Sequence, residues 1–322
     1  MENRRQLHHI ETLRALAALM VATYHFSAYF SWSNTTTNSL KFGAQGVEIF
    51  YMISGFIITY SLFHSSYNIP NYFKYMGKRL IRLMPPYILT IIIIHIVGTF
   101  VAHFEWGSIY DVNFRQSIIN ILFLADAFPQ YDWINPIFAT LEVELQFYFL
   151  IGLLFPLFQM NKWTFTIISF IWLFVGWQTV EADTALINGP YFICGIAAFY
   201  IKQNGWKLPY ILPIIASLGT TFWLYYPEDF AIIIVGLIAL LFLPEKLKLL
   251  NFTGKISFSL YLIHGIIGGW ILYFHASSDF AQHYPIIMIV FVLALSWIGA
   301  FIMYQFVEKP YMKISKLIKY KK

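Results

Sequence analysis
Ionisable residues stand inside sequence that is otherwise almost wholly apolar, and their types are those of acid–base and anion-binding chemistry. Glu11, Arg14 and His25 share one apolar stretch. Arg14 and His25 are eleven residues apart. At 3.6 residues per turn a helix presents both on one face, roughly 16 Å apart along its axis. An imidazole suits a general base or a transient acyl carrier, because its pKa lies near neutrality. Arg79 and Arg82 are three apart and share a helix face. Two guanidinium forks side by side suit a phosphorylated ligand, since each can hold oxygens bidentately. Glu48, Glu142 and Glu144 are further intramembrane acids. Glu142 and Glu144 are two apart, so only one of them faces any given cavity. Ser257, Ser259, Tyr261 and His264 form another polar group, and Glu308 closes the last apolar run.

The elements that carry these residues follow from composition. Hydrophobic residues make up 59% of the 322 and charged residues only 11%. The mean hydropathy is +0.63. A soluble domain is about a quarter charged, so the relevant solvent here is lipid. A span needs ~20 mostly apolar residues. Ten such segments can be drawn, near 10–32, 44–64, 84–103, 137–158, 164–180, 186–201, 208–226, 230–243, 256–274 and 285–306. Segment 116–128 is too short and is read as an interfacial or re-entrant piece. The fold expected is an all-α integral membrane bundle of about ten helices. It forms one domain over 1–322, with a short basic tail at 307–322. Arg4, Arg5 and the apolar run after Ala15 resemble a signal peptide, but Arg14 and His25 interrupt it, so it is read as the first span.

Charge fixes an expected orientation. Ten spans put both termini on one side, and 19 of the 21 Lys and Arg residues then fall on that side. Only Lys41 and Arg115 fall on the other, so both termini are read as cytoplasmic. The net charge of +5 is therefore a membrane signal; no basic, aromatic-interleaved platform for nucleic acid is present. The tail lysines suit anionic membrane lipid. The single cysteine, Cys194, excludes an intrachain disulfide and a cysteine metal site, and is read as a packing residue.

An ionised side chain at the centre of a membrane helix costs ~2.5–3.5 kcal/mol on insertion scales, so each calls for a reason. Arg14 as a snorkelling anchor, His25 as a packing histidine, the arginine pair as a basic flank and the glutamates as hydrated interfacial groups are the competing readings.

Six motifs in order give a more specific reading. They are Ile10-Glu-Thr-Leu-Arg14 with His25 following, Gly46-Val-Glu-Ile-Phe-Tyr-Met-Ile-Ser54-Gly55-Phe56, and Arg79-x-x-Arg82 with Pro85 and Tyr87. Leu141-x-Val-Glu144-x-Gln-Phe-Tyr148, Ile256-Ser-Phe-Ser-Leu-Tyr261-Leu-Ile-His264 and Val307-Glu308-Lys309-Pro310 complete the series. Together they resemble the membrane-bound acyltransferase 3 family over nearly the whole chain. Glu11 and Glu48 stand where that family often has Asp. Thr140 replaces a frequent Ser, the Trp that usually precedes it is absent, and Leu145 replaces a second Glu.

The resemblance implies an O-acyltransferase of the plasma membrane, bacterial by the family's main distribution. It would move an acyl group, usually acetyl from acetyl-CoA or another acyl-CoA, to a hydroxyl of a surface carbohydrate or lipid-linked glycan, without a metal. It implies His25 as the catalytic residue, with Glu144 and Glu48 as the acidic members. Arg14, Arg79 and Arg82 would serve the acyl-CoA donor, with Tyr261 and His264 beside it. On this reading His25 is oriented by an acidic neighbour. The rival from another class is a proton-coupled secondary transporter or flippase, which also carries intramembrane Glu, Arg and His. Transporters often have internal repeats, and none is evident in this sequence.

Overall fold
The computed structural model describes residues 7–30, 40–65, 67–103, 114–128, 130–179, 183–224 and 227–320, with backbone alone at 100–103. The outer end of the first expected span and Arg4, Arg5, Lys321 and Lys322 lie outside these residues. Helix accounts for 83% of the structure, and among the described residues there is no strand. In an apolar solvent this follows from the backbone, whose polar groups must pair within the segment itself.

The helices are α1 (His8–Ser27), α2 (Gly46–Phe63), α3 (Tyr72–His103), α4 (Phe114–Ile121), α5 (Ile137–Met160), α6 (Lys162–Gln178), α7 (Gly189–Asn204), α8 (Leu208–Leu224), α9 (Pro227–Phe242), α10 (Asn251–Lys255) and α11 (Ser257–His264). A π-helical turn, Gly265–Gly269, leads into α12 (Trp270–His275). Then come α13 (Asp279–His283), α14 (Pro285–Met303), a second π-helical turn over Tyr304–Glu308, and α15 (Lys309–Leu317). Within the described residues, each of the ten expected segments falls largely on a helix or an unbroken run of helices. Five segments are long and apolar enough to cross a membrane: Phe42–Phe63, Ile69–Thr99, Ile137–Met160, Ser257–His275 and Pro285–Leu317. Helices α6 to α9, at 16 or 17 residues, are shorter than that.

Two boundaries differ from the sequence reading. Helix α3 starts at Tyr72, so Lys78, Arg79 and Arg82 sit within the third helix and not in a flank before it. Pro85 and Pro86 lie inside it. A helical proline removes one backbone bond, yet leaving the helix in apolar surroundings would expose several polar groups, so the helix continues. The last span likewise runs on through the second π turn to Leu317.

Helix α2 is central. It packs most closely on α7, where Gly55 and Gly195 let the two backbones touch. A Cβ on Gly195 would collide with the Met52 carbonyl oxygen, and one on Gly55 with that of Phe192. This is small-residue packing of the kind that serves where lipid offers no hydrophobic drive between helices. Both helices thereby become rigid supports for what faces away from the crossing.

The two ends of the bundle are tied differently. At one end the His8 backbone N–H donates to the Glu245 carbonyl and the Thr12 hydroxyl to that of Leu249. Lys202 Nζ lies 4.0 Å from Glu245 at the same end. At the other end Asn120 accepts from the Ile134 N–H at 2.9 Å, and the Trp133 indole donates to Asp126 at 2.8 Å. The expected interfacial piece is the short helix α4 and the turns after it, held at this end.

Candidate functional site
Arginines from two separate helices converge on one cavity of about 470 Å³. Arg14 comes from α1, and Arg79 and Arg82 from α3. Glu144 and Tyr148 of α5, Ser54 of α2, Tyr261 of α11 and Glu308 line the same space. Leu7, Val47, Phe50, Ser61, Thr140 and Lys316 also line it.

Most of these polar groups have a partner. Arg14 Nε donates to Ser257 Oγ at 3.1 Å. The Arg79 guanidinium lies 5.4 Å from the Tyr75 ring and 5.7 Å from the Tyr148 ring, within cation–π range. Its Nε is buried without a hydrogen-bond partner. Glu144 Oε1 accepts from Ser54 Oγ at 2.9 Å and from the Tyr148 hydroxyl at 2.5 Å. Tyr148 therefore connects the carboxylate to the guanidinium: its hydroxyl fixes one and its ring supports the other. Glu308 is buried, accepts from Ser259 Oγ at 2.7 Å, and lies within electrostatic reach of Arg14 and Arg82. The π turn that carries Glu308 is a common device for re-aiming a side chain within a helix.

His25 does not line this cavity. It is half-buried on α1, its ring 5.2 Å from that of Tyr24 and 5.3 Å from that of His264. His264 Nδ1 is 2.8 Å from the Tyr261 carbonyl oxygen and 3.2 Å from that of Leu260. Carbonyls only accept, so Nδ1 carries the proton and Nε2 the lone pair. Nε2 is buried and has no partner. Between this histidine pair and the cavity stands Tyr261. Its ring is 6.1 Å from that of His264, and its hydroxyl is 2.6 Å from Thr140 Oγ1. Threonine thus keeps the hydroxyl that serine would supply at this position.

The residues singled out by sequence divide into three groups. Arg14, Arg79, Arg82, Glu144 and Tyr261 share the cavity. His25 and His264 pair one turn beyond Tyr261, so His264 sits with the other histidine and not with the arginines. Glu48 is turned elsewhere, within electrostatic reach of Asp183 and Asp229, with Oε2 buried and unpartnered. Of Glu142 and Glu144 only the second faces the cavity; Glu142 accepts from Gln146 at 3.0 Å. The acidic neighbour expected to orient His25 is absent among the described residues. Glu144 is engaged by two hydroxyls, Glu48 lies on another face of α2, and the ring neighbours of His25 are Tyr24 and His264.

Sequence reasoning gave Glu308 no role in the site, and its match to a closing motif was the available signal. It also missed Lys316, which reaches the cavity because the continuation of the last span, α15, packs on α3. Among the described residues no group of three or more His, Cys, Asp or Glu could hold a metal ion.

The profile of a family described as an acyltransferase domain matches residues 7–305. A protein of Acidianus two-tailed virus, carrying the name "Putative acetyltransferase ORF330", is 23% identical over 326 residues, covering 90% of this chain and 93% of that one. No solved structure matches the chain.

Proposed function
The chain belongs to the membrane-bound acyltransferase 3 family, and from that premise we propose that it is an integral membrane O-acyltransferase using an acyl-CoA donor. The acyl group is acetyl in the simplest case, and the acceptor is a hydroxyl of an extracytoplasmic carbohydrate or lipid-linked glycan. The observation that carries the reading is the convergence of Arg14, Arg79 and Arg82 on one cavity, with His25 further along the same helix as Arg14. The phosphates would rest on the arginines, and the pantetheine arm would run up the bundle beside α1. Arg14 and His25 are roughly 16 Å apart by helical rise, a distance an extended arm can bridge. The acyl carbon would have to pass Tyr261 to reach His25, so the Tyr261–Thr140 hydrogen bond would open during turnover.

At His25 two routes fit. The imidazole either removes the proton from the acceptor hydroxyl as it attacks the thioester, or accepts the acyl group and passes it on. Both release free thiol, which gives the direct test. Purified protein in lipid vesicles, supplied with acetyl-CoA and surface glycan from the source cell, should release thiol and yield acetylated glycan by mass spectrometry. Proton-driven movement of an unmodified solute, with no thiol released, would favour the transporter reading.

The membrane arrangement proposed with this function is ten spans with both termini cytoplasmic. Its support is the charge split and the grouping of residues 8, 12, 202 and 245–249 at one end of the bundle. In a cysteine-substituted protein, an impermeant thiol reagent applied outside intact cells should label position 41 and spare position 202. Equal labelling of the two would refute the span count.

A further inference from the structure
Lys316 lines the cavity that holds the three arginines and is nonetheless exposed. This lysine belongs to α15, and the residues after α15 are fastened across the start of α3. The Tyr320 ring packs against that of Tyr67 at 5.7 Å. Lys78 Nζ sits 4.7 Å from the Tyr320 ring centre, and Lys74 Nζ donates to the Lys319 carbonyl oxygen at 3.4 Å. A basic segment that served only to orient the protein in the membrane would need neither this anchoring nor a place in a cavity wall.

The charges in the lining also differ in kind: three guanidinium forks, less exposed, and one ammonium on the exposed Lys316. A guanidinium holds phosphate oxygens bidentately in a fixed geometry, whereas a lysine ammonium meets a phosphate as a mobile point charge on a flexible stem. A nucleotide thioester of the CoA class carries both kinds of phosphate. Its pyrophosphate adjoins the pantetheine arm, and a ribose phosphomonoester sits at the opposite end of the molecule. We propose that Lys316 binds that distal phosphomonoester, and that Tyr320, Lys74 and Lys78 position it by holding the segment after α15 in place. This rests on the reading of the protein as an acyl-CoA-dependent enzyme, which it extends to a second phosphate subsite.

The test compares two donors, acetyl-CoA and its 3′-dephospho form, in detergent without anionic lipid, with thiol release as the readout. Wild type should show a KM about five- to tenfold lower for the phosphorylated donor, the range for one charged contact at a partly solvated site. Lys316→Ala should lose most of that preference by raising the KM for acetyl-CoA alone, with kcat unchanged. Lys316→Arg should keep it, and Tyr320→Ala should weaken it in the same donor-selective way. Equal KM values for the two donors in wild type, or an equal loss for both in Lys316→Ala, would overturn the subsite. Failure of wild type to bind or turn over either donor would instead remove the acyl-CoA reading itself, and this proposal with it.

Discussion
His25→Gln should abolish acyl transfer while the protein still folds and still binds its donor. Glutamine keeps the polarity and approximate size of the imidazole but cannot take up a proton at neutral pH. Loss of an essential base typically costs ~10²–10⁴ in rate. Loss of an acyl-carrying nucleophile would cost at least as much. Donor binding should survive, because His25 lies outside the cavity that holds the three arginines. Folding should survive too, since His25 is only half-buried and faces Tyr24 and His264 through ring contacts. The measurements are glycan acylation, thiol release and donor affinity on the same preparation. A packing histidine would behave in the opposite way: Gln would be tolerated, and Ala would lower the yield of folded protein. Near-normal acylation by His25→Gln would exclude both routes proposed at this residue and turn attention to Glu144 in the cavity.

What the sequence made legible in this site was whatever a single helix can encode. The eleven-residue spacing of Arg14 and His25, the three-residue spacing of Arg79 and Arg82, and the divergence of Glu142 from Glu144 are all consequences of a 3.6-residue period. The helices themselves were legible for a similar reason, since lipid leaves an apolar segment few alternatives. What stayed hidden depends on how helices rotate against one another. Glu48 belongs to the helix that supplies Ser54 to the cavity, yet the Gly55–Gly195 crossing fixes the roll of α2 so that Ser54 faces in and Glu48 does not. Glu308 and Lys316 enter the site from the far end of the chain, through a π turn and a packing of α15 on α3 that no local periodicity announces. The sequence reading begins the third span at 84 and leaves the arginine pair in a flank, and the local effect of Pro85 and Pro86 is indeed to break helices. Their surroundings overrode that tendency, and the arginine pair became part of a continuous helix facing the cavity.

That placement makes Arg79 and Arg82 the second strong test. Substituting both by Ala should raise the donor KM by about 10²-fold or more while the protein remains inserted. The estimate takes one charge-assisted contact per arginine at ~1.5–3 kcal/mol, with each 1.4 kcal/mol counted as tenfold. Arg79 should be the more sensitive to conservative change. Its guanidinium lies within cation–π range of the rings of both Tyr75 and Tyr148, and its Nε is buried without a partner, a donor left for an incoming oxygen. An ammonium offers neither the flat face for two rings nor the fork for two oxygens, so Arg79→Lys should recover only a fraction of donor affinity. Tyr148→Phe separates the two roles of that tyrosine. It keeps the ring under Arg79 and removes the hydroxyl from Glu144. Donor KM should therefore stay near wild type in Tyr148→Phe and rise in Tyr148→Leu. Insertion is checked by protease resistance in membranes, and donor affinity by titration of the purified protein with a non-hydrolysable acyl-CoA. An unchanged donor affinity in the double Ala variant would reduce the arginine pair to anchors of topology, and the cavity would then need another ligand to account for three converging guanidinium groups.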